Sequence, residues 1–525
     1  MIRHIFTVGA LTLLSRILGF GRDLLTAAYL GAGPVADAVF IAFRLPNLFR
    51  SLLAEGAFSL GFVPQYNRIL KQQSMQQAHL FAEQSMALLA AVTIGLVVAG
   101  EVLMPWVMQI IAPGFNDHGD SAQRALVIEL ARITFPYIFF MALVALQGGV
   151  LNSAGKFYAF AAAPCILNMV MMLALLVLTP LFDSAAHAFA IGVLAAGLAQ
   201  YAWLEKHVRA AGMRLRWRWP VLNDELRQML RAIGPAAIGA GAVQLNILIG
   251  VMIGSFLPSG SISYLYYAER LYQLPLGVVG IAIGTVLLPT LSAAISSGRQ
   301  DIANHQQNRG LELGLLLTLP AAVALAVIAQ PIIQVLFVRG AFTMDDAAAT
   351  APALMGFALG LPAYVMIKAL APGFFARGDT ATPVKIAFVC VALNTVLNLF
   401  LIGHLLHVGI ALGTSLAAWV NLYLLAHFLR ARGHWGIDAQ LWQRGQRITL
   451  AAALMGAGLW FGQMALAGLL AGPFMAQLLA LLILCAGGLA FYVALALVLG
   501  GTTLADLRQL RRQPATVTPE DQNPA

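Results

Sequence analysis

The chain has 525 residues, of which 60% are hydrophobic and only 10% are charged. Because average globular chains carry about 25% charged residues, this composition excludes a soluble protein. The net charge of +9 does not indicate nucleic-acid binding, since most of the excess lies in short loops between apolar stretches, where it reports membrane orientation.

Fourteen apolar stretches follow one another, each near the roughly 20 residues that a helix needs to cross about 30 Å of hydrocarbon. We therefore predict an all-α polytopic membrane protein with fourteen transmembrane helices. The spans centre near residues 18, 50, 92, 137, 168, 195, 242, 280, 320, 360, 391, 417, 457 and 486. The first span loosely resembles a signal peptide, but it has no small-residue cleavage site before its charges, so we interpret it as a retained helix.

Lysine and arginine are concentrated in every second loop. These basic loops contain Arg68 and Lys71, Lys156, the group from Lys206 to Arg218, Arg299, Arg377, and the group from Arg430 to Arg447. Cytoplasmic loops carry the excess of basic residues in membrane proteins. We therefore predict that these loops and both termini are cytoplasmic.

An internal repeat appears when the chain is aligned with itself at an offset of about 226 residues. Three pairs of residues coincide at this offset: Arg44 with Arg270, Pro105 with Pro331, and Pro136 with Pro362. The offset spans six helices, an even number, so both copies enter the membrane in the same direction. The predicted domains are two six-helix lobes related as parallel repeats at 1–220 and 221–435, two extra helices at 436–503, and a disordered cytoplasmic tail at 504–525.

Charged residues occur inside three of the predicted spans, although a charge at membrane depth costs several kcal/mol unless it faces a partner or water. They are Arg16, Arg22 and Asp23 in the first span, Asp37, Arg44, Arg50 and Glu55 in the second, and Glu269 and Arg270 in the eighth. At about 100° per residue, Asp37, Arg44 and Glu55 share one stripe of their helix. Gln273 belongs to the polar stripe that contains Arg270.

The basic members of this set are all arginine, and they outnumber the acidic members by five to four. The planar arginine fork suits bidentate binding of phosphate and carboxylate. The set therefore predicts an anionic substrate in a water-filled cavity between the two lobes. The alternative is that these residues form internal ion pairs or extend from helix ends to the membrane surface, which would suit Arg44 and Glu55 best.

Three separated blocks carry a family resemblance. They read SRILGFGRDLLTAAYLGAGPVADAVFIAFRLPNLFRSLLAEGAFSLGFVPQY, YYAERLYQLPLGVVGIAIGTVLLPTLS and LAPGFFARGDTATPVKIA. In these blocks the chain closely resembles the MurJ (MviN) lipid II flippases, which belong to the multidrug/oligosaccharidyl-lipid/polysaccharide exporter superfamily. The resemblance implies a fourteen-helix transporter, not an enzyme, that moves the undecaprenyl-pyrophosphate-linked peptidoglycan precursor to the periplasmic leaflet of the bacterial inner membrane for cell-wall biogenesis.

The resemblance also implies roles for individual residues. It puts Arg16, Arg22, Asp37, Arg50 and Arg270 at the central cavity, where the arginines would hold the pyrophosphate. Secondary cavity candidates are Asp23, Arg44, Glu55, Glu269 and Gln273. The last two helices would form an apolar groove for the polyprenyl tail. We expect lipid II, membrane lipids and other cell-wall synthesis proteins as partners, and neither a cofactor nor a metal.

The chain departs from the family pattern at several positions. Ser51 stands where many members have a second arginine after Arg50, and Glu269 and Gln273 stand where Asp and Glu are familiar. A sodium site known in some members uses a carboxylate together with polar groups of the eleventh span. The seventh span here offers only Gln244 and Asn246, so we do not predict sodium coupling.

The predicted mechanism is alternating access between the two lobes. The sequence contains no GxxxxGK[ST] motif, so the energy would come from the substrate gradient or the membrane potential. One alternative is a related exporter of another polyprenyl-linked glycan or of drugs and cations, whose site should have surplus carboxylates. Another is a membrane enzyme acting on the same lipid, which needs carboxylates or histidines gathered at one membrane face.

Overall fold

The computed structural model describes residues 2–54, 57–117 and 121–506, which contain helices and no β-strand. The α-helices are α1 Ile2–Leu30, α2 Pro34–Ala54, α3 Ala57–Gln72, α4 Met75–Ile111, α5 Gly114–Asp117, α6 Ser121–Thr134, α7 Tyr137–Ser153, α8 Phe157–Leu178, α9 Ala185–Ala210, α10 Asp224–Gly254, α11 Ser261–Ser296, α12 Gln300–Val327, α13 Ala329–Phe337, α14 Met344–Phe375, α15 Ala381–Leu405, α16 His407–Ala431, α17 Ala439–Ala465, α18 Ala467–Leu470 and α19 Phe474–Val498. A short 3₁₀ helix, Thr179–Leu181, follows α8.

The described helices account for all fourteen predicted span centres, each of which falls within a helix. Eleven helical segments among the described residues are long and apolar enough to cross a membrane, which confirms an all-helical, multi-span membrane protein. The helices α1, α2 and α10 are not among the eleven. The first two carry charges near mid-length, and α10 has only the short apolar stretch Gln244–Gly254. The total of fourteen therefore stays a prediction.

Prolines lie inside several of these spans, and one proline divides a span. Pro46 lies inside α2, and Pro136 lies between α6 and α7. Proline lacks the N–H that donates to the preceding turn, and its ring clashes with the carbonyl group four residues earlier. The fourth predicted span consequently forms two consecutive helices.

The helices form two compact units. The first unit contains Met1–Arg270, Leu336–Ala353 and Ala387–Ala417. Within it, aromatic rings join α2 to the first turns of α11: Phe40 and Tyr266 are stacked with their centroids 3.8 Å apart. Since buried aromatic pairs stabilise a contact beyond the area that they bury, this stack fixes α2 against the first turns of α11.

The second unit contains Leu271–Val335, Leu354–Ile386 and Ala418–Ala525. Ion pairs fasten α17 to α12 in this unit. The Arg309 guanidinium donates to both carboxylate oxygens of Asp438, at 2.7 and 2.6 Å, and Arg444 lies 2.5 Å from Glu312. Asp438 also caps α17, so one carboxylate both starts this helix and attaches it.

The predicted tail at 504–525 is described only at its beginning. Its first three residues, 504–506, are helical, and the Asp506 carboxylate lies 3.1 Å from Arg444. The remaining residues, 507–525, lie outside the described residues, as does Glu55. The tail and the three predicted domains stay predictions.

Candidate functional site

Two charged residues of the first predicted span form a buried ion pair. Arg22 Nη2 lies 2.7 Å from Asp23 Oδ1, and the two side chains are only 8% and 4% exposed. The Arg22 Nε also donates to the same carboxylate oxygen at 3.2 Å. Adjacent residues on a helix point about 100° apart, so the long arginine side chain reaches back to its neighbour.

A second guanidinium reaches the same carboxylate from α11. Arg270 Nε lies 3.5 Å from Asp23 Oδ2, and the Arg270 side chain is 26% exposed. Asp23 is therefore placed between two guanidiniums, one on α1 and one on α11. Two guanidiniums thus contact one carboxylate at this point of the first unit. A bound anion would add further charge-assisted hydrogen bonds to them.

Tyr266 supports this arrangement, although it was not among the residues predicted for the site. Its hydroxyl donates to Asp23 Oδ1 at 3.2 Å, and its ring lies 4.5 Å from the guanidinium carbon of Arg270. A guanidinium over an aromatic face is attracted by the negative face of the ring. The spacing of four residues between Tyr266 and Arg270 places both on one helix face, and this was the signal in the sequence.

Arg44 and Glu269 form a separate ion pair beside this cluster. Arg44 Nη2 donates to Glu269 Oε2 at 3.0 Å, with the side chains 17% and 20% exposed. The two charges neutralise each other, as internal ion pairs do. The stripe shared with Glu55 had suggested Glu55 as the counter-charge of Arg44, and that residue lies outside the described residues.

Asp37, a buried residue in the first turn of α2, contacts the beginning of α11. Its carboxylate accepts hydrogen bonds from the backbone N–H groups of Gly260 and Ser263, both at 2.7 Å, and from the Ser263 hydroxyl. Carboxylates stabilise helix N-termini by pairing with free N–H groups and with the helix dipole. The contacts of Asp37 therefore organise the start of α11.

The other candidates have individual environments. Arg50 donates to Asn47 Oδ1 on its own helix at 2.9 Å, and Ser51 accepts from Gln244 at 3.1 Å. Arg16 is half-buried on α1, without an ion pair or hydrogen bond to the part of the chain that the structure describes. Gln273 falls in the second unit.

Amides occupy the region where some members of the resembled family have a sodium site. Asn394 on α15 donates to Asn246 Oδ1 on α10 at 2.8 Å. Hard cations in proteins prefer carboxylate-rich oxygen sites, and this pair supplies none. The residues present therefore do not fit a sodium site.

Two hydrogen-bonded glycine loops, here called clasps, join helix ends in the first unit. In one, Ala341 N donates to Ala28 O in the last turn of α1 at 2.8 Å. Gly31 and Gly340 both adopt positive φ there, +64° and +59°, and a Cβ on Gly340 would lie 2.2 Å from Ala28 O. Only glycine permits this conformation and this approach without strain.

The second clasp lies where α10 ends. Gly114 N donates to the Ser255 hydroxyl at 3.0 Å, and a Cβ on Gly114 would lie 2.3 Å from Ser255 O. Gly114 and Gly340 are separated by the same 226 residues as the predicted repeat. Each half of the chain thus contains one glycine loop that contacts the end of a long helix.

The fold and the arginine cluster together define a multi-span membrane protein of the transporter class. The family model described as lipid II flippase MurJ matches residues 26–481. The chain therefore belongs to the MurJ family, which consists of transporters and not of enzymes.

Individual relatives agree with this assignment. A probable lipid II flippase MurJ of Rhizobium meliloti (strain 1021) is 43% identical over 527 residues, which cover 99% of this chain and 97% of the relative. Another probable lipid II flippase MurJ, from Vibrio cholerae serotype O1, is 35% identical, with 95% and 96% covered.

Solved structures extend the likeness to the fold. A lipid II flippase MurJ in an inward closed conformation is 25% identical, with a TM-score of 0.79 and coverage of 96% of this chain and 99% of that one. An inward-facing multidrug resistance MATE transporter has a TM-score of 0.67 at 13% identity, covering 81% of this chain and 98% of that one. At that identity the likeness is one of fold alone, and it gives no support to drug or cation export.

Proposed function

We propose that this chain moves lipid II from the cytoplasmic to the periplasmic leaflet of the bacterial inner membrane by alternating access. The observation that carries the proposal is the pair of guanidiniums, Arg22 and Arg270, that share the single carboxylate of Asp23. The MurJ relatives indicate the substrate, since they are described as probable lipid II flippases. Membrane lipids and other cell-wall synthesis proteins are further partners in this proposal.

The chemistry of the substrate suits this cluster. A pyrophosphate presents several anionic oxygens, and arginine binds such oxygens through parallel N–H donors. In the empty site Asp23 is the counter-charge of Arg22 and Arg270. When lipid II enters, its pyrophosphate takes over part of this pairing, and Arg16 and Arg50 add further positive charge along the same cavity.

The two glycine clasps supply the gate. In the proposed topology both termini are cytoplasmic, which puts the end of α1 and the end of α10 on the periplasmic side. The clasps at Gly340 and Gly114 then hold that side closed while the head group enters from the cytoplasm. Opening toward the periplasm requires both clasps to break, and their equivalence in the repeat lets the two lobes separate in one motion.

The remaining architecture follows the same proposal. Two six-helix lobes, 1–220 and 221–435, rock about the cavity, and the helices at 436–503 hold the polyprenyl tail. The α19 helix supports a tail groove because it contains no charged residue. The membrane potential supplies about 2.3 kcal/mol per charge per 100 mV. An inside-negative potential therefore draws the cavity arginines back toward the cytoplasm after release.

The proposal is tested by depleting the protein in cells and measuring on which leaflet lipid II accumulates. Expression of the wild-type chain should restore transfer, whereas Arg22→Ala and Arg270→Ala, confirmed to be inserted, should not. Arg214→Ala is a matched control, because Arg214 is an exposed loop residue outside the cluster. Full transfer by both cluster variants would refute the assignment of the arginines to the pyrophosphate.

A further inference from the structure

A crevice of about 840 Å³ lies in the second unit, between α12, α14, α16 and α17. Most of its wall is apolar, with the side chains of Leu311, Leu315, Met366, Leu370, Leu422 and Leu441. Aromatic side chains border its open face, where Tyr423 is 66% and Trp442 is 61% exposed. A crevice with these walls in a membrane-spanning unit is suited to hydrocarbon chains, because contact between apolar surface and water is unfavourable.

One charged side chain among the described residues borders the crevice, the exposed Arg430 in the last turn of α16. Within the described part of the chain, the guanidinium of Arg430 has neither an ion pair nor a hydrogen bond. Its neighbours differ: Arg432 lies 2.5 Å from Asp379, and Arg447 donates to Gly500 O at 3.1 Å. The guanidinium of Arg430 is therefore available to an anion from outside the chain.

The depth of the crevice matches one leaflet. Arg430 and Trp419 both line it on α16, and eleven residues at 1.5 Å each separate them by about 16 Å. On α17 the lining runs from Leu441 to Ala453, which is about 18 Å. Since a hydrocarbon core is about 30 Å thick, the crevice reaches to about mid-membrane from a polar end that carries the arginine.

We propose that this crevice binds an anionic glycerophospholipid. The lipid phosphate pairs with Arg430, the glycerol region lies beside Trp442, and one acyl chain fills the space toward Trp419. A cation at the surface followed by an apolar slot one leaflet deep matches the distribution of charge and hydrocarbon in such a lipid. Tryptophan at this level is typical of the membrane interface. The site is independent of the pyrophosphate cluster at Arg22.

The experiment measures quenching of tryptophan fluorescence by brominated lipids in the purified full-length chain. Three of the eight tryptophans, Trp419, Trp435 and Trp442, line the crevice. Brominated phosphatidylglycerol should quench at about tenfold lower concentration than brominated phosphatidylethanolamine. The phosphatidylglycerol head group has a net negative charge, whereas the ammonium of phosphatidylethanolamine offsets its phosphate, and one charge-assisted contact changes an affinity by about tenfold. Arg430→Gln should abolish this preference, while Arg447→Gln, outside the crevice, should retain it.

A second variant tests the apolar part of the site. Ala453→Phe should weaken quenching by both lipids, because it fills the deep end, and leave the preference for phosphatidylglycerol intact. The proposal is overturned if the two lipids quench the wild-type chain equally, or if Arg430→Gln changes nothing. It is also overturned if undecaprenyl phosphate relieves the quenching and unbrominated phosphatidylglycerol does not, since the occupant would then be a polyprenyl chain.

Discussion

Replacing Asp23 by asparagine should destabilise the empty protein and tighten its binding of a pyrophosphate. The change removes the carboxylate that lies 2.7 Å from Arg22 and 3.5 Å from Arg270 while it keeps the shape of the side chain. Breaking a buried ion pair by removing one partner costs about 3–5 kcal/mol, because the other charge is left uncompensated. We expect the free energy of unfolding to fall by about that amount.

The affinity of Asp23→Asn for a pyrophosphate should rise, although its stability falls. In the wild-type chain a pyrophosphate competes with Asp23 for the two guanidiniums, and in Asp23→Asn it does not. We expect the dissociation constant for undecaprenyl pyrophosphate to fall by at least about tenfold, which corresponds to about 1.4 kcal/mol. Ligand-induced thermal stabilisation in detergent measures both effects, since it compares the empty and the occupied protein in one titration.

The double variant Arg22→Gln with Asp23→Asn separates this explanation from general damage. It removes both charges of the closest pair, so most of the lost stability should return, but the tighter binding should not. The reasoning is refuted if Asp23→Asn is as stable as the wild-type chain, or if the double variant is no more stable than the single one.

Three further predictions concern other parts of the molecule. Gly340→Ala should lower the thermal unfolding midpoint more than Gly378→Ala. Both glycines have positive φ, but of the two only Gly340 would bring a Cβ to 2.2 Å from a backbone oxygen. Equal decreases in the unfolding midpoint would show that the clasp does not contribute to stability. Tyr266→Phe should weaken binding of the pyrophosphate by about fivefold, the value of one hydrogen bond. Tyr266→Leu should weaken it further, because the cation–π contact is lost too. Direct titration measures both dissociation constants, and equal dissociation constants for the two variants would contradict a role for the ring. Hydrogen bonds from the side chain and backbone of Thr382 lower the pKa of Asp379 to about 2, so its contribution to stability is present above about pH 4 and is lost between about pH 4 and 2. In a plot of unfolding free energy against pH, Asp379→Asn should therefore reduce the slope in that window. A slope equal to that of the wild-type chain would refute this prediction.

The helices were predictable because their signal is local. A stretch of about 20 apolar residues predicts a span wherever it occurs, and all fourteen centres fall in helices. The charged residues of α1 and α11 were predictable candidates for the same reason, since a charge in an apolar span is visible in the sequence alone.

The pairing of these residues was not predictable, because it depends on which helices pack together and in what register. The stripe on α2 suggested Glu55, which lies outside the described residues, as the partner of Arg44. The partner within the described residues is Glu269, which is 225 residues away and on another helix. The burial of Asp37 at the start of α11 likewise depends on the packing of α2 against that helix. The sequence shows the charges of a membrane protein, and the fold decides which of them neutralise one another.

The shared carboxylate explains how such a site can both bind and release its substrate. A cavity of arginines alone would hold a pyrophosphate too tightly to let it leave, and when empty it would leave buried guanidiniums uncompensated. With Asp23 in place, binding exchanges one anion for another, and release is assisted by a carboxylate that is always within reach of Arg22 and Arg270. In the proposed mechanism the membrane potential acts on the guanidiniums of Arg22 and Arg270 during the return.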